Sequence, residues 1–90
     1  MAYFAQIDET NTVTEVIAIS NEVCGNDYPD SEPVGQAFIT NDLGLTGVFL
    51  QTSYNNSFRG IYAGIGYTYN AELDIFVAPP IIDLIPTPEA

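Results

Sequence analysis

The sequence predicts a mainly β domain of the small α+β type, built from antiparallel hairpins with one short helix and followed by an extended, proline-rich C-terminal arm. The length of 90 residues leaves room for one domain. The hydrophobic content of 47% is ordinary for a globular protein. Apolar residues recur at every second position in short runs separated by turn-forming residues, which is typical of strands. We therefore expect a β-rich domain over residues 1–78 and an arm over residues 79–90.

The first predicted hairpin pairs residues 2–8 with residues 12–20. The sequence Asp-Glu-Thr-Asn at positions 8–11 has the residue types that favour a turn. Because side chains alternate along a strand, the second strand should present two different faces. One face would carry Val13, Glu15, Ile17 and Ile19, and the other Thr12, Thr14, Val16 and Ala18.

The predicted helix covers roughly residues 32–43 and follows a segment, residues 21–31, whose composition is typical of a loop. Ser31 is a suitable N-cap, Pro33 is tolerated in the first turn, and Gly44 follows the expected end. At helical spacing, one face of this helix carries Val34, Phe38 and Asp42.

The remaining strands are predicted at residues 48–54 and 73–77. Between them, residues 58–69 alternate aromatic and aliphatic residues but are interrupted by Gly60, Gly64 and Gly66, which indicates a bend, a bulge or a close approach of another chain. Four of the twelve residues from position 79 onward are proline, so that segment should be extended.

The charge of the chain excludes several classes of partner. Twelve acidic residues accompany one base, Arg59, and the formal net charge is −11. Binding to nucleic acid depends on clusters of lysine and arginine, so no nucleic acid is expected as a ligand. An anionic membrane surface is disfavoured for the same reason. No run approaches 18 apolar residues, and the N-terminus lacks the features of a signal peptide.

Catalytic chemistry has little support in the composition. The chain has no histidine and one cysteine, Cys24, so it offers neither a Ser–His or Cys–His pair nor an internal disulfide or thiolate zinc cluster. The glycine-rich run at 60–66 is followed by a tyrosine-rich stretch typical of a strand, and not by the helix that a dinucleotide site requires. We therefore expect a protein that is not an enzyme and has no cofactor.

Two groups of acidic residues have an ordinary interpretation beside a functional one. Asp27, Asp30 and Glu32 offer oxygen ligands for a hard cation, but the twelve-residue calcium loop pattern is absent, and a solvated loop is the simpler interpretation. Glu72 and Asp74 would share one face of a strand, as a glycosidase pair or a solvent-facing edge would. No metal site is predicted.

Partner binding is the function class that the sequence favours, and the candidate residues are of three kinds. Tyrosine combines a large contact area with a polar tip, and it is enriched at interfaces, although tyrosines also fill the core of a small β domain. Arg59 should pair with a carboxylate, either within the chain or across a contact. Aliphatic residues in a proline-broken arm should not remain in water, and a docking arm on a neighbouring subunit resolves this. The candidates are Tyr54, Arg59, Tyr62, Tyr67, Tyr69, Ile81, Ile82, Leu84 and Ile85.

The order of motifs along the chain resembles that of small virion structural proteins of tailed phages, chiefly phages of cyanobacteria. The similarity lies in the opening Tyr-Phe-Ala-Gln-Ile-Asp at 3–8, in Gln-Thr-Ser-Tyr-Asn at 51–55, in Phe-Arg at 58–59 and in Asp-x-Phe at 74–76. Its most specific part is the block Tyr-Ala-Gly-Ile-Gly-Tyr-Thr-Tyr at 62–69.

This resemblance implies a structural component of a phage particle that is made in the host cytoplasm. The first expectation is a capsid decoration or cement protein that self-associates, binds the major capsid protein on the head surface and stabilises the shell. The alternatives are a component of the tail or tail fibre, and a soluble acidic interaction module such as an inhibitor that mimics DNA.

Overall fold

The computed structural model describes residues 1–25 and 27–79, and the predicted mainly β class is confirmed. Within these ranges the chain forms five strands and two helices. In chain order they are β1 (Ala2–Ile7), β2 (Val13–Ile19), α1 (Asn21–Cys24), α2 (Ser31–Asn41), β3 (Val48–Thr52), β4 (Thr68–Asn70) and β5 (Ile75–Val77). The predicted arm, with Ile81, Ile82, Leu84 and Ile85, lies outside the described residues.

The strands form a three-stranded sheet with the order β2-β1-β3 and a separate β4-β5 hairpin, and all pairings are antiparallel. The first predicted hairpin is therefore correct. Asp8 closes its turn, since its carboxylate accepts hydrogen bonds from the backbone amides of Thr10 and Thr12 at 2.8 and 3.0 Å. These bonds, with one from the Thr10 hydroxyl, lower the pKa of Asp8.

The central strand β1 is buried on both faces, which divides the apolar core in two. On one face the sheet is covered by α1 and α2, and on the other by the segment of residues 53–79, here named the C-terminal layer. The helical side buries Ala2, Phe4, Ile19, Cys24, Ile39 and Phe49. The side of the C-terminal layer buries Ala5, Ile7, Val13, Ala63 and Phe76.

The predicted face of Val13 is wrong because a β-bulge changes the register. Gln6 pairs with Glu15, but Ile7 pairs with Val13, so one extra residue, Thr14, is inserted into β2. Val13 therefore lies in the core beneath the C-terminal layer, while Ile19 lies on the helical side. Alternation along a strand predicts faces only where the pairing is regular.

Three predictions about the helical side need correction. Residues 21–24 are helical rather than loop, and the Ser20 hydroxyl caps this turn by accepting from the Glu22 amide at 3.0 Å. In α2 the N-cap is Asp30, and Ser31 is the first helical residue. The buried positions of α2 are Ser31, Gly35 and Ile39, whereas the predicted face carries Val34, which is exposed.

Helix α2 turns the face with Gly35 toward the sheet because the ring of Phe4 lies against that position. A Cβ atom at Gly35 would lie 2.6 Å from Cε1 of Phe4, so α2 approaches the sheet at the position without a side chain. The close contact of a glycine with a buried ring, rather than the largest apolar residues, decides which face of α2 turns inward.

The third strand is shorter than predicted, and most of residues 58–69 is not strand. β3 ends at Thr52, and regular pairing resumes only at β4. Gly60 and Gly66 have φ angles of 75° and 93°, which other residues rarely adopt, and they bend the chain as the glycine pattern indicated. Asp74 and Glu72 lie in the turn before β5, so the predicted shared strand face does not exist.

Candidate functional site

Arg59 is bound entirely by groups of its own chain. Its guanidinium contacts both Glu32 oxygens, with Nη2 at 3.2 Å from Oε1, and its Nε donates to Asp74 at 2.8 Å. Its Nη1 also donates to the carbonyl oxygen of Gln51 at 3.0 Å. The side chain is only 10% exposed. The carboxylate partners expected for Arg59 are therefore found within the chain.

Arg59 belongs to a group of side chains that covers the outer edge of β3. Besides the bond from Arg59 to the carbonyl of Gln51, the Gln51 amide donates to Glu32 Oε2 at 2.9 Å, and Gln36 Nε2 donates to the carbonyl of Phe49 at 2.6 Å. A free strand edge exposes backbone groups that can pair with another chain. We call Glu32, Gln36 and Arg59 the edge cap, because they satisfy these groups.

Electrostatics reinforce the edge cap and the turn beside it. Burial alone would lower the pKa of Arg59, but the hydrogen bonds to Glu32 and Asp74 outweigh it and raise that pKa. Tyr69 donates to Asp74 Oδ1 at 2.5 Å. Burial, followed by this bond, raises the pKa of Tyr69 to about 12. The bond from Tyr69, together with that from Arg59, lowers the pKa of Asp74 despite its partial burial.

The four predicted tyrosines separate into two pairs. Tyr67 and Tyr69 are half-buried and pack against the core beneath the C-terminal layer. Tyr54 and Tyr62 instead form a surface cluster with Tyr3, in which the ring centroids are 5.3 to 5.6 Å apart. Tyr54 is 66% exposed. The structure thus brings only half of the predicted tyrosines together at the surface.

Tyr3 is the member of this cluster that the sequence analysis missed. It lies in β1 one position before Phe4 and pairs with Thr52, two residues before Tyr54. The sequence signal was its place in an alternating strand, on the face opposite Phe4. Recognising it required the pairing of β1 with β3, which residue patterns alone did not reveal.

A cleft of about 600 Å³ opens where β1 begins, β3 ends and α2 starts. Its floor includes two buried polar residues, Ser31 and Gln51, whose side chains are joined by a hydrogen bond of 2.7 Å. Its walls include Tyr3 with Tyr54, and Tyr28 stacked on Phe58 with ring centroids 3.8 Å apart. This combination of polar floor and aromatic wall makes the cleft a candidate ligand site.

The other candidate sites have structural explanations. Glu32 is engaged by Arg59, and the described residues contain no group of three acidic or cysteine side chains able to hold a metal ion. Cys24 is buried in the helical core, as a small hydrophobic residue would be, and burial raises the pKa of its thiol. Neither helix of the described chain has the length and apolarity to cross a bilayer.

No family model, no curated protein and no solved structure gives a significant match to the sequence or the fold.

Proposed function

We propose that the chain is a non-enzymatic structural protein of a phage particle, a decoration protein that binds at junctions between major capsid protein subunits and stabilises the head. Support comes from the resemblance of residues 51–76 to small virion proteins. It comes also from the exposed aliphatic side chains of the C-terminal layer, the segment that precedes the arm in the sequence. We also propose that copies associate with one another on this surface.

The observation that carries the proposal is a set of exposed aliphatic side chains in the C-terminal layer of a strongly acidic protein. Ile65 is 72% exposed and Leu73 65% exposed, and Ile61 and Val77 are exposed to a lesser degree. Burying one such side chain completely contributes about 1.5–3 kcal/mol. Together with the aliphatic residues of the arm, they supply a large apolar area for a partner surface.

The net charge of −11 has a separate role in this proposal. Like charges oppose premature association of free copies and keep the protein away from packaged nucleic acid. Each copy then needs only modest affinity for the shell, because contacts linked within one assembly raise the effective concentration of the remaining contacts.

Quantitative mass spectrometry of purified particles, with heads and tails separated, tests the location. Hundreds of copies in the head fraction would support a decoration role. A few copies that travel with the tail would replace it with a tail or fibre role. Absence from both fractions would contradict the proposal and favour a soluble acidic module, which should then capture a basic host protein.

Two variants test which surface binds. Ile65→Asp with Leu73→Asp should reduce occupancy on stripped capsids at least tenfold, since at least about 1.4 kcal/mol of apolar contact is lost. Leu43→Asp is the matched control, because Leu43 is 46% exposed but lies just after α2. Deletion of residues 79–90 should abolish binding, and unchanged occupancy of the shortened chain would contradict the docking arm.

A further inference from the structure

The floor of the cleft presents hydrogen-bond donors that no described residue satisfies. Gln51 is 6% exposed, and its side-chain Oε1 accepts from the Ser31 hydroxyl, while its amide nitrogen has no acceptor in residues 1–25 and 27–79. If the amide is reversed, Nε2 donates to the Ser31 hydroxyl oxygen, and the Ser31 hydroxyl hydrogen, one amide hydrogen and the Gln51 oxygen then lack partners in those residues. A buried polar group without a partner is costly, so in either orientation this floor favours a ligand whose hydroxyl groups can both accept and donate hydrogen bonds.

The walls of the cleft favour a ligand with a flat apolar face. Tyr54 stacks on Tyr3 with an angle of 27° between the rings and remains 66% exposed, whereas Tyr28 has Phe58 stacked on its ring at 2° and the Arg59 guanidinium over the ring, 5.4 Å from its centroid. The electron-rich faces of such rings attract weakly positive C–H groups. Sugar rings present C–H groups on one face and hydroxyl groups around the edge, and they match both the walls and the floor.

Anionic ligands are disfavoured by the charge around the cleft, and cationic ligands by the hydrogen bonds that its floor requires. The one basic residue of the chain, Arg59, is bound to Glu32 and Asp74, and Asp27 lines the cleft, so phosphate, sulfate and carboxylate ligands would be repelled. An ammonium or guanidinium group would suit Asp27 and the tyrosines, but it brings only donors and leaves Gln51 unsatisfied. The volume of about 600 Å³ is within the range of small-ligand sites.

We propose that this cleft binds a neutral saccharide, with the side-chain amide of Gln51 bonded to a sugar hydroxyl and the exposed ring of Tyr54 packing on a C–H face of the sugar. The proposal does not depend on the location of the protein in a particle. It would give the chain a sugar-binding surface separate from the exposed aliphatic side chains of the C-terminal layer.

The test is an NMR titration of the ¹⁵N-labelled full-length chain with glucose, galactose, mannose and N-acetylglucosamine, and with trisaccharides of each. We expect saturable shifts in the side-chain amide of Gln51 and the backbone amide of Tyr54 with at least one sugar, and none at Ile65. Tighter binding of the trisaccharide than of its monosaccharide would identify a polymer as the source. The absence of shifts at Gln51 with every sugar would overturn the proposal.

Two matched variants distinguish the stacking of a sugar on Tyr54 from the general effect of removing an exposed apolar side chain. Tyr54→Ala should weaken saccharide binding roughly two- to twelvefold, since an aromatic contact contributes about 0.5–1.5 kcal/mol beyond its buried area. Ile65→Ala removes a similarly exposed apolar side chain away from the cleft and should leave the affinity unchanged. Equal affinity of Tyr54→Ala and the unaltered chain would contradict the stacking geometry.

A cationic peptide is the competing ligand, and trilysine is its probe. Saccharide binding should be unchanged within twofold in Asp27→Asn, because a neutral sugar gains little from a carboxylate at the rim. If trilysine shifts the same amides more strongly than every sugar and Asp27→Asn removes that effect, the site is cationic and the saccharide proposal is wrong.

Discussion

Arg59 connects three parts of the fold that are distant in sequence. Its guanidinium contacts α2 through Glu32, the edge of β3 through the Gln51 carbonyl, and the turn before β5 through Asp74. Its backbone is left-handed, with a φ angle of 55°, and its carbonyl accepts from the Phe76 amide at 2.9 Å. Through these contacts Arg59 stabilises the packing of the C-terminal layer against the helical side.

Replacement of Arg59 by methionine should lower the free energy of unfolding by about 1–3 kcal/mol, because it leaves the largely buried Glu32 carboxylate, 15% exposed, without its charged partner. Urea denaturation measures the loss. If that variant does not fold, Arg59→Lys provides the test, since one ammonium cannot reproduce the bonds of the planar guanidinium. If Arg59→Lys is as stable as the unaltered chain, the planar guanidinium is not required at this position.

Asp74→Asn is the control for this prediction. The Asp74 side chain is 53% exposed, and surface ion pairs contribute little. We expect its effect to be under about 1 kcal/mol, below that of Arg59→Met. Similar losses in the two variants would mean that Asp74, rather than Glu32, is the important partner of Arg59.

The bond from Tyr69 to Asp74 predicts a dependence of stability on pH at both extremes. The pKa of Asp74 is lowered in the folded chain, so its contribution is complete above the ordinary value of 3.8 and is lost as the pH falls through the folded value. The pKa of Tyr69 is raised to about 12, so its contribution is complete below 10.0 and is lost as the pH rises toward 12.

Tyr69→Phe tests this dependence. The variant should lose less stability between pH 10 and 12 than the unaltered chain, and absorbance at 295 nm should show one fewer high-pH tyrosine ionisation. Tyr54→Phe is the control, because Tyr54 is largely exposed and donates no hydrogen bond to a described residue. Identical alkaline profiles for Tyr69→Phe and the unaltered chain would disprove the contribution of Tyr69.

At the scale of elements, helix α2 is held to the sheet by contacts of two kinds. Gly35 lies directly against the fully buried ring of Phe4, and Glu32 and Gln36, one turn apart, bond to the backbone of β3. The first contact sets how closely the helix approaches, and the second sets its position along the strand. Residues chosen for helix propensity alone would not satisfy either requirement.

Gly35→Ala should therefore destabilise the fold, although alanine is favoured over glycine in a helix by about 1 kcal/mol. Overpacking a buried site typically costs about 1–3 kcal/mol, and the Phe4 ring that the new methyl group would meet is fully buried. Thermal unfolding of the two single variants and the double variant gives the measurement. The cost of Gly35→Ala should shrink when Phe4→Leu provides room.

Thr40→Ala, at an exposed position of the same helix, serves as the control and should raise stability by a few tenths of a kcal/mol, about the difference in propensity. If Gly35→Ala stabilises the chain as Thr40→Ala does, the contact with Phe4 does not limit the approach of α2.

At the scale of the whole molecule, the net charge of −11 acts against the compact state. The one base is already engaged, so the remaining carboxylates repel one another across the surface. Salt screens such repulsion over about 10 Å at 0.1 M. The fold should therefore be more stable at moderate than at low ionic strength.

The melting temperature should rise as NaCl increases from about 10 to 150 mM, a range over which the screening length falls from about 30 to 8 Å. Glu9→Gln with Glu72→Gln, both at exposed positions, should raise the melting temperature at low salt and reduce its dependence on salt. Calorimetry at several salt concentrations measures both effects. A melting temperature that falls with added salt would mean that favourable ion pairs, not repulsion, dominate.

Local patterns predicted the elements well where pairing is regular. The first hairpin and the helix that ends near Asn41 both depend on residues close together in the chain. The face of Val13 was predicted wrongly, because a bulge interrupts the alternation on which that prediction relied, and the strands predicted at 48–54 and 73–77 are shorter in the structure, at Val48–Thr52 and Ile75–Val77.

The sequence by itself determined the mainly β class, the excess of negative charge and the single base that had to find a carboxylate. Only the tertiary structure decided that Arg59 meets Glu32, 27 positions away, that Gln51 meets Ser31, 20 positions away, and that Tyr3 completes the cluster of Tyr54 and Tyr62. Propensity and periodicity act over a few residues, whereas these contacts require the pairing of β1 with β3 and the approach of α2 to the sheet. The edge cap and the cleft therefore belong to the fold and to no single segment of the sequence.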